Sequence, residues 1–189
     1  MFAISAFLLV GLVTLSSATP LKNHCKEVPA KENFDPNSYF KGTWYLTHIT
    51  PVENRACISI KPQITEKTVK ESYTILERGN THKAEGFINL DSFSGSGKFE
   101  TTIKPVEKPR AGTPDFHTMN ETVIDTDYEN YAVVHSCFTD YQGPSVYQIM
   151  GRSPNPDEVH SNVEKVLERL GMKLSNFGST KQLNCQKAN

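Results

Sequence analysis

The sequence lacks several features that would assign it at once to a common functional class. After residues 1–18 it has no apolar run long enough to span a membrane, and its formal net charge is only −1. A near-neutral chain has no strong electrostatic basis for binding nucleic acid or an anionic membrane surface. It also has no Ser-His-Asp spacing, paired-carboxylate motif, phosphate loop or HExxH segment, and these absences argue against an enzyme.

Residues 1–18 form the one long apolar stretch. The run MFAISAFLLVGLVTLSSA contains no charged side chain and ends in small residues, which predicts a secretory signal peptide cleaved after Ala18. A membrane anchor is the alternative, but the run is short and no basic cluster follows it. The remaining residues, 19–189, suit a single secreted domain.

Cysteine is scarce but even in number. The mature chain contains Cys25, Cys57, Cys137 and Cys185, which in an exported protein predicts two disulfides with three possible connectivities. Their spacing is too wide for a zinc site, so no metal is expected. The only N-glycosylation sequon is NET at Asn120, and export makes its use plausible.

Between residues 42 and 152 the chain alternates like a series of strands separated by turns. Eight such runs occur without helices between them: GTWYLTHIT, ACISIKP, TVKESYTILE, HKAEGFINL, GKFETTIK, DFHTMNETVID, NYAVVHSCF and SVYQIMGR. This spacing predicts an all-β antiparallel sandwich or closed barrel.

One amphipathic helix follows, predicted at 156–170. Asn155 is the expected N-cap and Gly171 the expected stop. One helical stripe is formed by Val159, Val163, Val166, Leu167 and Leu170. Because the opposite face is charged, we expect the stripe to pack outside the sheet rather than on a membrane.

Three separate motifs resemble those of the lipocalins, in the family's order. GTWY contains Gly42 and Trp44, TDYENY contains Thr126, Asp127 and Tyr128, and GRS contains Arg152. Longer segments of the sequence, such as ENFDPNSYFKGTWY, are similar to those of the apolipoprotein D branch and of salivary lipocalins of triatomine bugs. That triatomine group includes the nitrophorins, triabin and pallidipin. The resemblance implies an eight-stranded up-and-down barrel with one C-terminal helix packed outside.

The resemblance also implies structural roles for particular residues. It pairs Cys25 with Cys137 and Cys57 with Cys185. It places Trp44 at the barrel floor with Arg152 across it as a cation–π partner. With Cys137 facing outward, strand alternation turns Ala132, Val134 and Ser136 inward.

The same alternation predicts the lining of a ligand cavity. We expect apolar walls with a few polar groups, formed by Leu46, His48, Ile58, Ile60, Tyr73, Ile75, Met119, Glu121, Val123, Val134, Gln148 and Met150. One β-bulge would reverse a strand's assignment.

Two classes of function compete at this point. The first is a monomeric secreted carrier that sequesters a small apolar or amphipathic ligand, as triatomine relatives do with host mediators. An eicosanoid is slightly favoured over a biogenic amine or a nucleotide, because only Glu121 is assigned to the interior as an acid. The second is a triabin-like inhibitor of a host clotting protease, acting through a surface loop such as 104–114.

No cofactor is expected. A nitrophorin-like haem would need a histidine inside the pocket, but the corresponding position falls near Ile75, and His82 lies beyond the following turn. A lipocalin-type prostaglandin synthase would need a free cysteine thiolate, whereas the four cysteines are predicted to be paired.

Overall fold

The strands close into an eight-stranded antiparallel barrel, as the sequence predicts. The computed structural model describes residues 24–52, 56–107, 112, 114–140, 145–183 and 185, so the predicted signal peptide lies outside the described residues. The strands are β1 (Trp44–Thr50), β2 (Cys57–Ile64), β3 (Thr68–Glu77), β4 (Asn80–Asn89), β5 (Lys98–Pro105), β6 (His117–Thr126), β7 (Tyr131–Phe138) and β8 (Val146–Gly151). Each strand pairs with the next, and β1 pairs with both β8 and β2, which closes the barrel.

Shorter elements flank the barrel. A helical turn, α1 (Pro36–Tyr39), precedes β1, and the helix α2 (Ser161–Arg169) follows β8. A two-residue strand, β9 (Gly178–Ser179), pairs with the second half of β1. The described 3-10 turns are Leu90–Ser92, Leu174–Asn176 and Thr180–Leu183.

The aromatic floor closes one end of the barrel. The Arg152 guanidinium lies 3.3 Å from the centre of the Trp44 ring and donates hydrogen bonds to the carbonyl oxygens of Thr43, Tyr39 and Tyr128. The Trp44 indole N–H donates to the Tyr39 carbonyl at 2.9 Å. These bonds satisfy a partly buried cation and a buried N–H together, and Arg152 lies against Trp44 as the resemblance implies.

The segment before β7 is tied to the same floor. The Asp127 carboxylate accepts three backbone N–H bonds, from Glu129, Asn130 and Tyr131. Burial by itself would raise the pKa of Asp127, but these bonds and one from the Asn130 side chain outweigh it and set the pKa below its ordinary value. The Thr126 hydroxyl donates to the Tyr131 carbonyl at 2.6 Å. The TDY element is therefore a hydrogen-bonded corner that holds β6 against β7.

Helix α2 begins later than its sequence predicts. It starts at Ser161 with His160 as N-cap, so the predicted helix at 156–170 with Asn155 as its cap is wrong at the start. The Asn155 side chain instead accepts the Asp157 backbone N–H at 3.1 Å. That contact completes a separate turn, and the helix therefore begins only after it, at Ser161.

The packing and the end of α2 agree with the predicted stripe. Val163, Val166 and Leu167 are fully buried in an outer cluster that includes Val133, Ile149 and Phe177. Gly171 has φ +69°, and the N–H groups of Gly171 and Met172 bond the carbonyls of Glu168 and Leu167, a Schellman end. No helix in the described ranges is both long and apolar enough to cross a membrane.

Two disulfides attach the terminal segments to the barrel wall. They join Cys25 to Cys137 and Cys57 to Cys185, with Cα–Cα separations of 5.8 and 5.3 Å, which is the pairing that the resemblance implies. No cysteine is left free. Each bond closes a long loop, with sequence separations of 112 and 128 residues. A disulfide that closes a loop of that size stabilises the folded state by on the order of 4 kcal/mol, because it restricts the unfolded chain.

Candidate functional site

The strand register places most of the predicted cavity lining on the inner face. That face packs around Trp44, Leu46, Val69 and Met150, and cross-strand partners share it. All but one of the twelve predicted residues lie on it, namely Leu46, Ile58, Ile60, Tyr73, Ile75, Met119, Glu121, Val123, Val134, Gln148 and Met150.

His48 is the exception, and its inward assignment is wrong. A β-bulge between Leu46 and His48 shifts the register of β1 against β8, so that His48 pairs with Ile149 on the outer face. Ile49 takes the inner position and joins the inner core. His48 is buried beside β9, and burial lowers its pKa. The bulge therefore places the Ile49 side chain, rather than the His48 imidazole, on the inner face.

Glu71 is an inner-face residue that sequence reasoning missed. In β3, Val69, Glu71 and Tyr73 alternate toward the interior, and all three are buried. The signal was present, because any register that turns Val69 and Tyr73 inward must also turn Glu71 inward. The described part of the barrel interior therefore holds two buried acids, Glu71 and Glu121, where one was expected.

We call the polar group around these two carboxyls the acidic centre; it comprises Glu71, Tyr73, Thr101, Glu121, Ser136 and Gln148. The Tyr73 hydroxyl donates to Glu71 Oε2 at 2.6 Å. On the facing strands, the Thr101 hydroxyl lies 3.2 Å from Glu121 Oε2 and the Ser136 hydroxyl 3.5 Å from Glu121 Oε1. The Gln148 amide donates to the Ser136 hydroxyl at 3.1 Å. Every donor to the two carboxyls is a neutral hydroxyl.

Gly86 on β4 makes this arrangement possible. A Cβ atom at Gly86 would lie 2.9 Å from Tyr73 Cε2, 3.0 Å from Thr101 Cγ2 and 3.2 Å from Glu71 Oε2. These distances show that three members of the acidic centre converge on the space that a side chain would fill. Gly86 is there for close approach of its neighbours to the backbone.

Burial shifts the pKa values of both carboxyls in the acidic centre. Burial raises the pKa of Glu71 to about 7, against the lowering effect of the Tyr73 hydrogen bond. Burial and the nearby charge of Glu71 raise the pKa of Glu121 to about 8. No lysine or arginine lies on the inner face of the described strands, and Arg152 is held at the floor. The two acids therefore have no internal counter-charge.

The histidines of the inner face lie at the open end. His82 pairs with Ile75 and is exposed. His117 pairs with Ile103, and its Nδ1 lies 2.7 Å from Asp140 Oδ2. Neither belongs to the acidic centre, which lies deeper along the strands.

Two other predicted features do not belong to the acidic centre, namely the glycosylation site and the loop 104–114. Asn120 is exposed and pairs with Cys137 on the outer face, a position open to a glycan, so its glycosylation stays a prediction. In the loop 104–114, β5 ends at Pro105, while residues 108–111 and 113 lie outside the described residues.

Comparison with known proteins agrees with this architecture. The Nitrophorin family model matches residues 25–189. Nitrophorin-3 of Rhodnius prolixus is 30% identical over 96% of this chain and 94% of its own length, and apolipoprotein D of Bos taurus is 29% identical over 85% of this chain and 84% of its own. The solved tryptamine complex of the amine binding protein of Rhodnius prolixus is 28% identical, covers 85% of this chain and 88% of its own, and superposes with a TM-score of 0.76.

Proposed function

The chain belongs to the nitrophorin family of lipocalins, and we propose that it binds a small protonated amine between Glu71 and Glu121. One observation carries the proposal: two buried carboxyls share the barrel interior without a basic partner on the described inner face. A buried charge is costly unless it is paired. A ligand that brings its own ammonium group supplies the missing partner.

The walls around the acidic centre suit the body of such a ligand. Leu46, Ile58 and Ile60 form one side and Met119 another, so an aromatic or aliphatic body would contact apolar side chains while its ammonium meets the carboxyls. An ammonium can donate to Glu71 and Glu121 together, whereas a pure hydrocarbon would leave both without a donor stronger than a hydroxyl. The relative that was solved with tryptamine supports this ligand class.

The second acid reverses the order of ligands that the sequence favoured. An eicosanoid carries a carboxylate, and at the acidic centre it would bring a third negative group beside Glu71 and Glu121. Like charges in a desolvated interior repel strongly. We therefore place amines before eicosanoids.

Haem is not part of the proposal. An axial imidazole would have to project into the barrel, whereas the inner position implied by the resemblance is Ile75 and the described inner-face histidines, His82 and His117, lie at the open end. The acidic centre does not fit an apolar macrocycle either. A thiol-dependent activity such as that of the lipocalin-type prostaglandin synthases is not proposed, since both cysteine pairs are disulfide-bonded and a thiolate nucleophile is needed for it.

We further propose that the protein is secreted and works by sequestering its amine outside the cell. The two disulfides support this, because such bonds persist in oxidising compartments, and so does family membership. A salivary scavenger of host amines is the biological setting in keeping with the triatomine relative. Protease inhibition through the loop 104–114 has no specific observation in its favour.

Calorimetric titration tests the ligand class. The panel is tryptamine, serotonin, histamine, a leukotriene, a thromboxane mimic and ADP, run against the wild-type protein, Glu71→Gln and Glu121→Gln. We expect an amine to bind, and each substitution to weaken it by at least about 30-fold, because removal of one partner from a buried charge pair costs 2 kcal/mol or more.

Glu100→Gln is the matched control, because Glu100 is exposed on the outer face of β5. It should leave amine affinity unchanged. Binding of the leukotriene together with no binding of any amine would overturn the proposal. Equal amine affinity in the wild-type protein and both acidic-centre variants would overturn it as well.

A further inference from the structure

We propose that the barrel takes up an amine in exchange for a proton: Glu71 and Glu121 hold a proton in the free protein, release it when the ammonium enters, and recover it when acid discharges the ligand. This inference rests on the proposed function. It extends that function by making the affinity for the amine depend on the pH of the surrounding medium.

The geometry of the acidic centre requires a shared positive charge. Glu71 accepts from one hydroxyl and Glu121 from two, and neutral donors offset only part of the cost of burying a carboxylate. Glu121 Oε2 lies 3.2 Å from the Thr101 hydroxyl, and Glu71 Oε2 and Thr101 Cγ2 both border the space that a Cβ of Gly86 would fill, at 3.2 and 3.0 Å. Two charges so placed cannot both persist without a cation or a proton between them.

The other groups that face the pair cannot supply that charge. Each strand packed around it presents a neutral side chain or none: Leu46 from β1, Pro62 from β2, Gly86 from β4, Thr101 from β5, Ser136 from β7 and Gln148 from β8. The ionisable groups at either end are Tyr39 and Arg152 at the floor and Glu77, His82 and His117 at the open end. Arg152 is already committed to Trp44 and to three carbonyls.

Near neutral pH, the free pair therefore holds a proton rather than two full charges. Burial raises the pKa of Glu71 to about 7 and, with the Glu71 charge, that of Glu121 to about 8. The ligand's own ammonium has a pKa near 10, like that of lysine, so it stays protonated below pH 8. Below pH 8 the ligand therefore keeps its proton, and the carboxyl pair of the protein loses one. That proton passes to the solvent as the ammonium enters.

The direction of the pH effect follows from this exchange. Below pH 7 a proton competes with the ammonium for the pair, so tryptamine affinity should fall about tenfold for each pH unit when one proton is displaced. Above about pH 8 the pair is ionised, and affinity should become nearly independent of pH. The loaded protein would hold its amine at neutral pH and lose it in an acid compartment.

Titration of tryptamine into the wild-type protein at pH 7, in phosphate and in Tris, measures the exchange directly. The two buffers differ in ionisation enthalpy, so the difference in observed heat counts the protons released; we expect about one per tryptamine. Dissociation constants from pH 5.5 to 8.5 provide the second readout. Equal heats in both buffers with a constant affinity would overturn the exchange while leaving amine binding intact.

Two variants identify the source of the proton. Glu71→Gln removes one of the two titrating carboxyls, together with the repulsion that adds to the effect of burial on Glu121, and should about halve the release. His117→Gln changes an ionisable group at the open end and should leave the release unchanged. Release that disappears with His117→Gln but persists in Glu71→Gln would overturn the assignment. If tryptamine does not bind the wild-type protein at all, the proposed function fails together with this inference.

Discussion

The acidic centre should make the ligand-free protein less stable as the pH rises from 6.5 to 8. Each carboxyl has a folded pKa above its ordinary value of 4.5, about 7 for Glu71 and about 8 for Glu121. Above pH 4.5 the folded pair binds more protons than the same carboxyls in the unfolded state, so the contribution of the pair to stability is fully present below pH 4.5 and is lost as the pH rises through 7 and 8. Across 6.5 to 8 the folded pair holds about one proton on average, which amounts to a loss on the order of 2 kcal/mol.

The chosen pH window separates this effect from that of the buried histidines. His48 and His135 are buried, and burial lowers the pKa of both below 6.5. They therefore destabilise the fold only as the pH falls below 6.5, which is the opposite direction. Above 6.5 the carboxyl pair is the dominant source of pH dependence.

Guanidinium unfolding, monitored by Trp44 fluorescence at pH 6.5, 7, 7.5 and 8, gives the unfolding free energy at each pH. We expect a steady fall in the wild-type protein and a much shallower one in Glu121→Gln, because only Glu71 then remains, with a pKa that burial raises to about 7. Glu100→Gln serves again as the surface control and should follow the wild type. A stability that is flat or rising across this window would refute the burial of two acids with raised pKa values.

Three further predictions concern the frame around the site. Trp44→Ala should lower the unfolding free energy by about 3–5 kcal/mol, because it empties the floor beneath Arg152; normal stability with altered ligand choice would contradict this. Thiol titration of the denatured, unreduced protein should find no reactive group, and one or more per chain would refute the disulfide pairing. Gly86→Ala should displace the Tyr73 ring and weaken tryptamine binding about tenfold or more, since a Cβ has no room there; unchanged calorimetric affinity would count against the role of the close approach.

Much of the fold could be predicted because its signals are repeated along the chain. Eight alternating runs, three motifs in order and an even cysteine count all indicate the same barrel, and an error of a residue or two at one strand end changes nothing. Helix α2 shows the limit of such reasoning. Its stripe was visible, but its start depends on whether Asn155 caps the helix or a separate turn, and the sequence is equally consistent with both.

The interior was less predictable, because a strand's inner face depends on single residues. The bulge before His48 has no distinctive residue to mark it, so alternation counted from Trp44 assigns the wrong side from that point on. Glu71 is a different case. Its position followed from alternation, but the rule that charged residues avoid the core argued against it. That rule fails where a buried charge serves a ligand.

The stabilising floor and the proposed binding site lie at different depths along the barrel axis. The floor combines Trp44 and Arg152 with satisfied hydrogen bonds, so it contributes stability and offers no open polar group to a ligand. The acidic centre above it has the opposite character, because Glu71 and Glu121 are buried without a counter-charge and lower the stability of the free protein. A cation that pairs with them recovers part of that cost, and the ligand then stabilises the fold in proportion to its binding. For this reason the same two residues should govern both the pH dependence of folding and the choice of ligand, whereas changes at the floor should affect folding alone.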